Sequence, residues 1–95
     1  MRKTFKLSHE KIKPERLVES IKHEVRKYLK RERKKKLPDA ADFLDFDCRF
    51  GADEKSSVVI HVSTIDEHID SVVDDHHESF YLEILARPGY RTKKD

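Results

Sequence analysis

A single cysteine in 95 residues rules out an intramolecular disulfide and suits a reducing compartment. Two glycines, Gly51 and Gly89, are too few and too far apart for a glycine-rich phosphate loop, and both read as turn residues. No apolar run approaches the roughly 18–20 residues of a membrane span. Met1 opens directly onto charged residues instead of the apolar centre of a signal peptide. The expected setting is therefore soluble and cytoplasmic. Apolar residues are scarce, at 36% against 42% charged, so the core is small and leaves little room for a deep enclosed cavity. The apolar residues nevertheless fall in dense periodic clusters, the mark of one folded domain with charged surfaces.

What the chain has in abundance is charge, and it is sorted. Residues 1–36 hold 15 Lys/Arg against 5 Asp/Glu, residues 37–86 hold 2 against 13, and residues 87–95 hold 4 against 1. The balances of +10, −11 and +3 hide inside a net charge of +2. Such asymmetry points to a polyanion-binding segment or to pairing between unlike surfaces.

Hydropathy periods give six elements. Phe5 and Leu7 alternate with Thr4 and Lys6, a short strand. Pro14 suits a first helical position, with Ile12 and Leu17 placed to close over it as a staple. Leu17, Val18, Ile21, Val25, Tyr28 and Leu29 form one helical stripe. Good helix formers continue to Lys36, so a helix over 14–36 would be about 34 Å long with a nearly coreless end. Leu44, Phe46, Cys48 and Phe50 alternate with Asp45, Asp47 and Arg49, and Val58, Ile60 and Val62 with Val59 and His61, making a hairpin. Ser63 and Thr64, each three residues before Asp66 or Glu67, read as a capping box for a helix through Ile65, Ile69, Val72 and Val73 to His76. Phe80, Leu82, Ile84 and Ala86 form the last strand, closed by Pro88-Gly89.

The order strand, helix, strand, strand, helix, strand predicts an α+β, ferredoxin-like split βαβ fold. Its four-stranded antiparallel sheet would carry both helices on one face. One domain over 1–89 and a polar, mobile tail over 90–95 are expected.

Four segments carry a resemblance: Met1-Arg-Lys-Thr-Phe, Ile21 to Arg33, Asp42 to Gly51, and Leu85-Ala-Arg-Pro-Gly-Tyr-Arg-Thr. Together the chain resembles a family of short uncharacterised bacterial proteins over nearly its whole length. The resemblance implies a bacterial, cytoplasmic, stand-alone domain and transfers no activity.

Four surfaces are candidates for function. The first is the basic helix end. At about 100° per residue, Arg16, His23, Arg26, Lys27, Lys30, Arg33 and Lys34 share the face opposite the apolar stripe, and Arg31, Lys35 and Lys36 surround its overhanging end. Long cations on a rigid helix suit phosphate backbones, because each neutralised phosphate releases counterions. The plainer reading is a solvated face, with Glu24 pairing Lys27 and Glu32 pairing Lys35 or Lys36. A third is pairing with the acidic half. Arg87, Arg91, Lys93 and Lys94 could join the basic surface.

The second candidate is the open sheet face, with Tyr81 as its one aromatic for base stacking and Asp45, Asp47 and Glu83 opposing phosphate. Val59, Tyr81 and Leu85 suit a second subunit better. Third, Asp47 with His61, and Asp74-Asp75-His76-His77, lack metal-ligand spacing and read as surface groups, with His68 facing solvent. Last, Cys48 reads as an inert core thiol, and adjacent Ser8 and His9 make no triad.

The expectation is a non-enzymatic nucleic-acid-binding module, for RNA or DNA, using Arg26, Lys27, Lys30, Arg31, Arg33, Lys34, Lys35 and Lys36. The alternative is a homodimer or protein-interaction module pairing that helix with an acidic surface. No cofactor, metal, membrane or small-molecule substrate is inferred.

Overall fold

Phe46, Cys48 and Phe50 point inward from one strand and Phe80, Leu82 and Ile84 from its neighbour. These side chains set the core. The computed structural model describes residues 1–8, 10–35 and 43–89. Its elements are β1 (Arg2–Lys6), α1 (Pro14–Arg33), β2 (Phe43–Gly51), β3 (Val58–Ile60), a 3-10 turn (Val62–Thr64), α2 (Ile65–Asp74) and β4 (Ser79–Gly89). The four strands make one antiparallel sheet in the order β1-β4-β2-β3. Ile21 and Val25 of α1 and Ile65 and Ile69 of α2 bury against one face of it. The α+β class and the β-α-β-β-α-β order are those expected. Within each βαβ half, central and edge strands trade places relative to a ferredoxin sheet, so β4 and β2 hold the centre.

The ladder explains why β4 runs through Pro88-Gly89 instead of stopping there. Ile84 donates its N–H to Met1 at 2.7 Å and accepts from the Met1 ammonium at 2.6 Å. Backbone groups of residues 84, 86 and 88 therefore face the β1 side. Pro88 lies past the end of β1, so its missing N–H removes no ladder bond. Neither glycine is a turn residue. A Cβ on Gly51 would lie 2.7 Å from the Ser57 backbone, and one on Gly89 would collide with the Phe43 ring. Both serve close packing.

Helix α1 starts at Pro14 as expected and ends at Arg33, giving about 30 Å. The overhang is shorter than the sequence indicated and is not coreless, since Arg33 lies 5.5 Å from the Phe46 ring. The 36–42 connection, including Lys36, the 90–95 tail and His9 fall outside the described residues.

Helix α2 lacks the capping box. Thr64 donates its hydroxyl to the His61 carbonyl at 2.7 Å, Ser63 donates its N–H to His61 Nδ1, and Asp66 turns to α1. The helix ends at Asp74, near His76 as expected. His76 has φ 58°, and the N–H groups of His76 and His77 reach back to Val73 and Val72. That is a Schellman motif with histidine in the left-handed position usually held by glycine. His68 does not face solvent freely, because its ring lies 5.3 Å from that of Phe50. Val58 shares the inward face of Phe50 but sits on the outer strand and is 59% exposed.

The candidate nucleic-acid interface

Helix α1 has three sides besides its buried stripe, and each treats charge differently. Toward α2, Lys22 pairs with Asp70, and Arg26 with Asp66 at 3.0 Å. Toward β1, Lys3 pairs with Glu24 at 3.1 Å, so Glu24 pairs across the fold and not with Lys27. On this side a groove of about 430 Å³ is lined by Met1, Lys3, Glu24, Lys27, Tyr28 and Arg31. The third side faces outward. Lys27, Lys30 and Lys34 stand there in one row at helical spacing, about 10 Å from end to end. None of the three side chains makes an ion pair or hydrogen bond with any described residue.

The remaining members of the expected patch are spent on the fold. Arg31 lies 5.7 Å over the Tyr28 ring, and Arg33 covers Phe46. Lys35 pairs with Glu32 at 2.9 Å, as the i,i+3 spacing predicts. That hydrogen bond is the main reason the Glu32 carboxyl is held below its ordinary pKa. Burial, followed by the charge of Glu32, pushes the Tyr28 hydroxyl up. Of eight candidates, the structure leaves three lysines as an open row and attaches Arg26, Arg31, Arg33 and Lys35 to neighbours. Lys36 lies outside the described residues.

The open sheet face departs most from expectation. Tyr81 is only 5% exposed and donates its hydroxyl to Glu83 at 2.8 Å, while Glu83 also holds Arg2 at 3.0 Å. Tyr81 is thus no stacking platform and no part of an apolar patch. Alternation identified its face correctly but could not show that the site is covered. Arg87 bonds Asp45 at 3.0 Å and Asp47 at 2.8 Å, which removes it from any basic surface formed with α1. Arg49 donates to Ser57 through both Nε and a terminal nitrogen. Only Val59 and Leu85 of the proposed apolar trio stay exposed.

The other clusters are local. His61 does not join Asp47 across the hairpin, because its Nδ1 lies 2.7 Å from the Ser63 hydroxyl. Among the described residues, no group of three or more His, Cys, Asp or Glu side chains is placed to hold a metal. Cys48 is buried as expected, and burial, aided by Asp47 and Asp45, pushes its thiol up to about 11. No helix among the described residues is long and apolar enough to cross a membrane.

The chain matches the family of unknown function DUF6172 along residues 1–95, and it belongs to that family. Searches of the curated proteins and of the solved structures each returned no match.

Proposed function

We propose that this protein is a small non-enzymatic module that binds nucleic acid through the outward ridge of α1. Lys27, Lys30 and Lys34 contact phosphates, and Arg31 stands beside them at the β1 groove. The observation that carries this reading is selective pairing. Lys22, Arg26 and Lys35 each have an acidic partner, while the three ridge lysines have none among the described residues. A cationic row left unneutralised by its own fold gains most from phosphate, through counterion release. Helix α2 is a poorer partner surface for the ridge of a second copy, because Asp66 and Asp70 already serve Arg26 and Lys22. The setting that fits is a reducing, cytoplasmic one, since the sole cysteine has no mate.

The test is retention on immobilised nucleic acid at low salt for the full chain and for the Lys27→Ala, Lys30→Ala, Lys34→Ala triple variant. The three side chains contact nothing in the core, so melting behaviour should be unchanged while retention falls. Equal retention of a folded triple variant would rule out the ridge as the contact surface.

A further inference from the structure

The ridge differs from its surroundings in residue type as well as in pairing. Of the described arginines, Arg2, Arg26 and Arg87 are held by acids, Arg49 by Ser57, and Arg31 and Arg33 by aromatic rings. Only Arg16, near the opposite end of α1, is not so engaged. The unengaged cations of the ridge are lysines. Arginine brings the planar fork that reads guanine edges, whereas lysine acts as a point charge with rotatable donors. The amides that read adenine are missing altogether, for the sequence contains no asparagine and no glutamine.

The ridge offers no platform for base stacking either; the one substantially exposed aromatic among the described residues, Phe43 at 42%, stands on β2 and not on the ridge. Cations lie over three aromatic rings: Lys3 over Phe5 at 4.8 Å, Arg31 over Tyr28 and Arg33 over Phe46. Tyr81 is buried beneath the opposite face. Proteins that hold single strands offer aromatic platforms along a basic groove, whereas Lys27 and Lys30 on α1 and Lys34 at its C-cap have none between them on that row. A duplex offers dense charge, about one phosphate per 1.7 Å of axis, to such a ridge without any base being exposed.

From this we infer that the ridge recognises the phosphate backbone of double-stranded nucleic acid and does not read base sequence. The inference rests on the nucleic-acid reading above and goes further by naming duplex backbone as the partner and excluding sequence specificity. Fixed arginines hold the fold together while free lysines meet the ligand.

The experiment is fluorescence anisotropy of the full chain with labelled duplexes of one length and several sequences, and with the matching single strands, across a salt series. Affinities for the duplexes should agree within about threefold, and the duplex should bind more tightly than either strand. The slope of log K against log salt should be about 2.7, corresponding to about 0.9 for each of three phosphates. Lys→Arg replacement at the three positions should keep the slope, whereas Lys→Ala should remove it. Preference for one duplex sequence by about tenfold or more, the scale of a base-edge contact, would overturn the inference while leaving nucleic-acid binding standing. Tighter binding of a single strand than of its duplex would do the same. Binding to neither at low salt would overturn the underlying reading as well.

Discussion

The two flanks of α1 carry similar side chains and put them to different use. Lys22 and Arg26, one turn apart, reach across to Asp70 and Asp66 and tie the two helices together over the sheet. Lys27 and Lys30, nearly alongside them in sequence, meet no acid among the described residues. A run of positive charge is thus two things: a brace between elements on one flank and an open row on the other. The difference is decided by what lies opposite, which is α2 in the first case and solvent in the second. Composition cannot tell these apart, because the cations of both flanks count alike toward the +10 of residues 1–36.

The strongest way to break the comparison is to remove the support under the helix. Phe46 is buried, and Arg33 of α1 lies over its ring. Phe46→Ala should cost roughly 3–5 kcal/mol, read by chemical denaturation, and both flanks should lose their geometry together. A loss below about 1 kcal/mol would show that the sheet does not position the helix through this residue.

A smaller effect comes from the buried thiol. Burial pushes the Cys48 thiol up from an ordinary value of 9.0 to about 11. A raised value means the neutral thiol is favoured by folding. Its stabilisation is complete below pH 9 and is lost as the pH rises toward 11. The loss should be on the order of 2 kcal/mol over that interval. Tyr28 and Tyr81 are shifted in the same direction. The clean measurement is therefore the difference between the unmodified chain and Cys48→Ala, whose alkaline profile should be shallower. Parallel profiles would contradict the burial of the thiol.

The third perturbation sharpens the α2 side. His76 holds a left-handed conformation that costs a residue with a side chain about 1 kcal/mol relative to glycine. His76→Gly should raise the melting temperature by a few degrees, since about 1 kcal/mol shifts a domain of this size by roughly 4–8 °C. A lower melting temperature would mean the His76 side chain contributes contacts that outweigh the strain.

The smallest stability effect belongs to the braces themselves. Arg26 and Asp66 are both substantially exposed, so Arg26→Ala should cost less than about 1 kcal/mol. Lys30→Ala should cost within about 0.5 kcal/mol of nothing. A double-mutant cycle on Arg26 and Asp66 against one on Lys30 and Asp66 would measure coupling in the first pair and none in the second.

How much of this was legible in the sequence follows from the period of each signal. Phe46, Cys48 and Phe50 alternate with charged neighbours, and their burial obeys that alternation because a strand flips its side chains at every residue. The stripe from Leu17 to Leu29 was equally readable. Side-chain partners were readable within the helix, as for Glu32 and Lys35, but not across elements. Glu24 stands three residues before Lys27, yet it pairs with Lys3, because β1 brings that lysine alongside and spacing along one helix carries no record of a neighbouring strand. Tyr81 was placed on the correct face, but its cover depends on Glu83, Arg2 and the turn after Gly51. The capping pattern at Ser63 and Thr64 does not form, because the Ser63 N–H and the Thr64 hydroxyl both turn back to His61 while Asp66 pairs with Arg26. Within the basic patch, residue type and face were visible, while the split between braces and open row needed the position of α2.

In the binding we propose, position in the fold, and not net charge, decides which cations meet nucleic acid. The most direct test compares two charge-matched triple variants in a duplex-binding salt series: Lys27→Ala, Lys30→Ala, Lys34→Ala on the ridge, and Lys3→Ala, Lys22→Ala, Arg26→Ala among the braces. Both remove three positive charges. The ridge variant should lose affinity and nearly all of the salt slope, about 0.9 for each lost phosphate contact, while the brace variant keeps most of both. Equal losses in the two variants would contradict the claim and reduce the basic helix to a carrier of bulk charge.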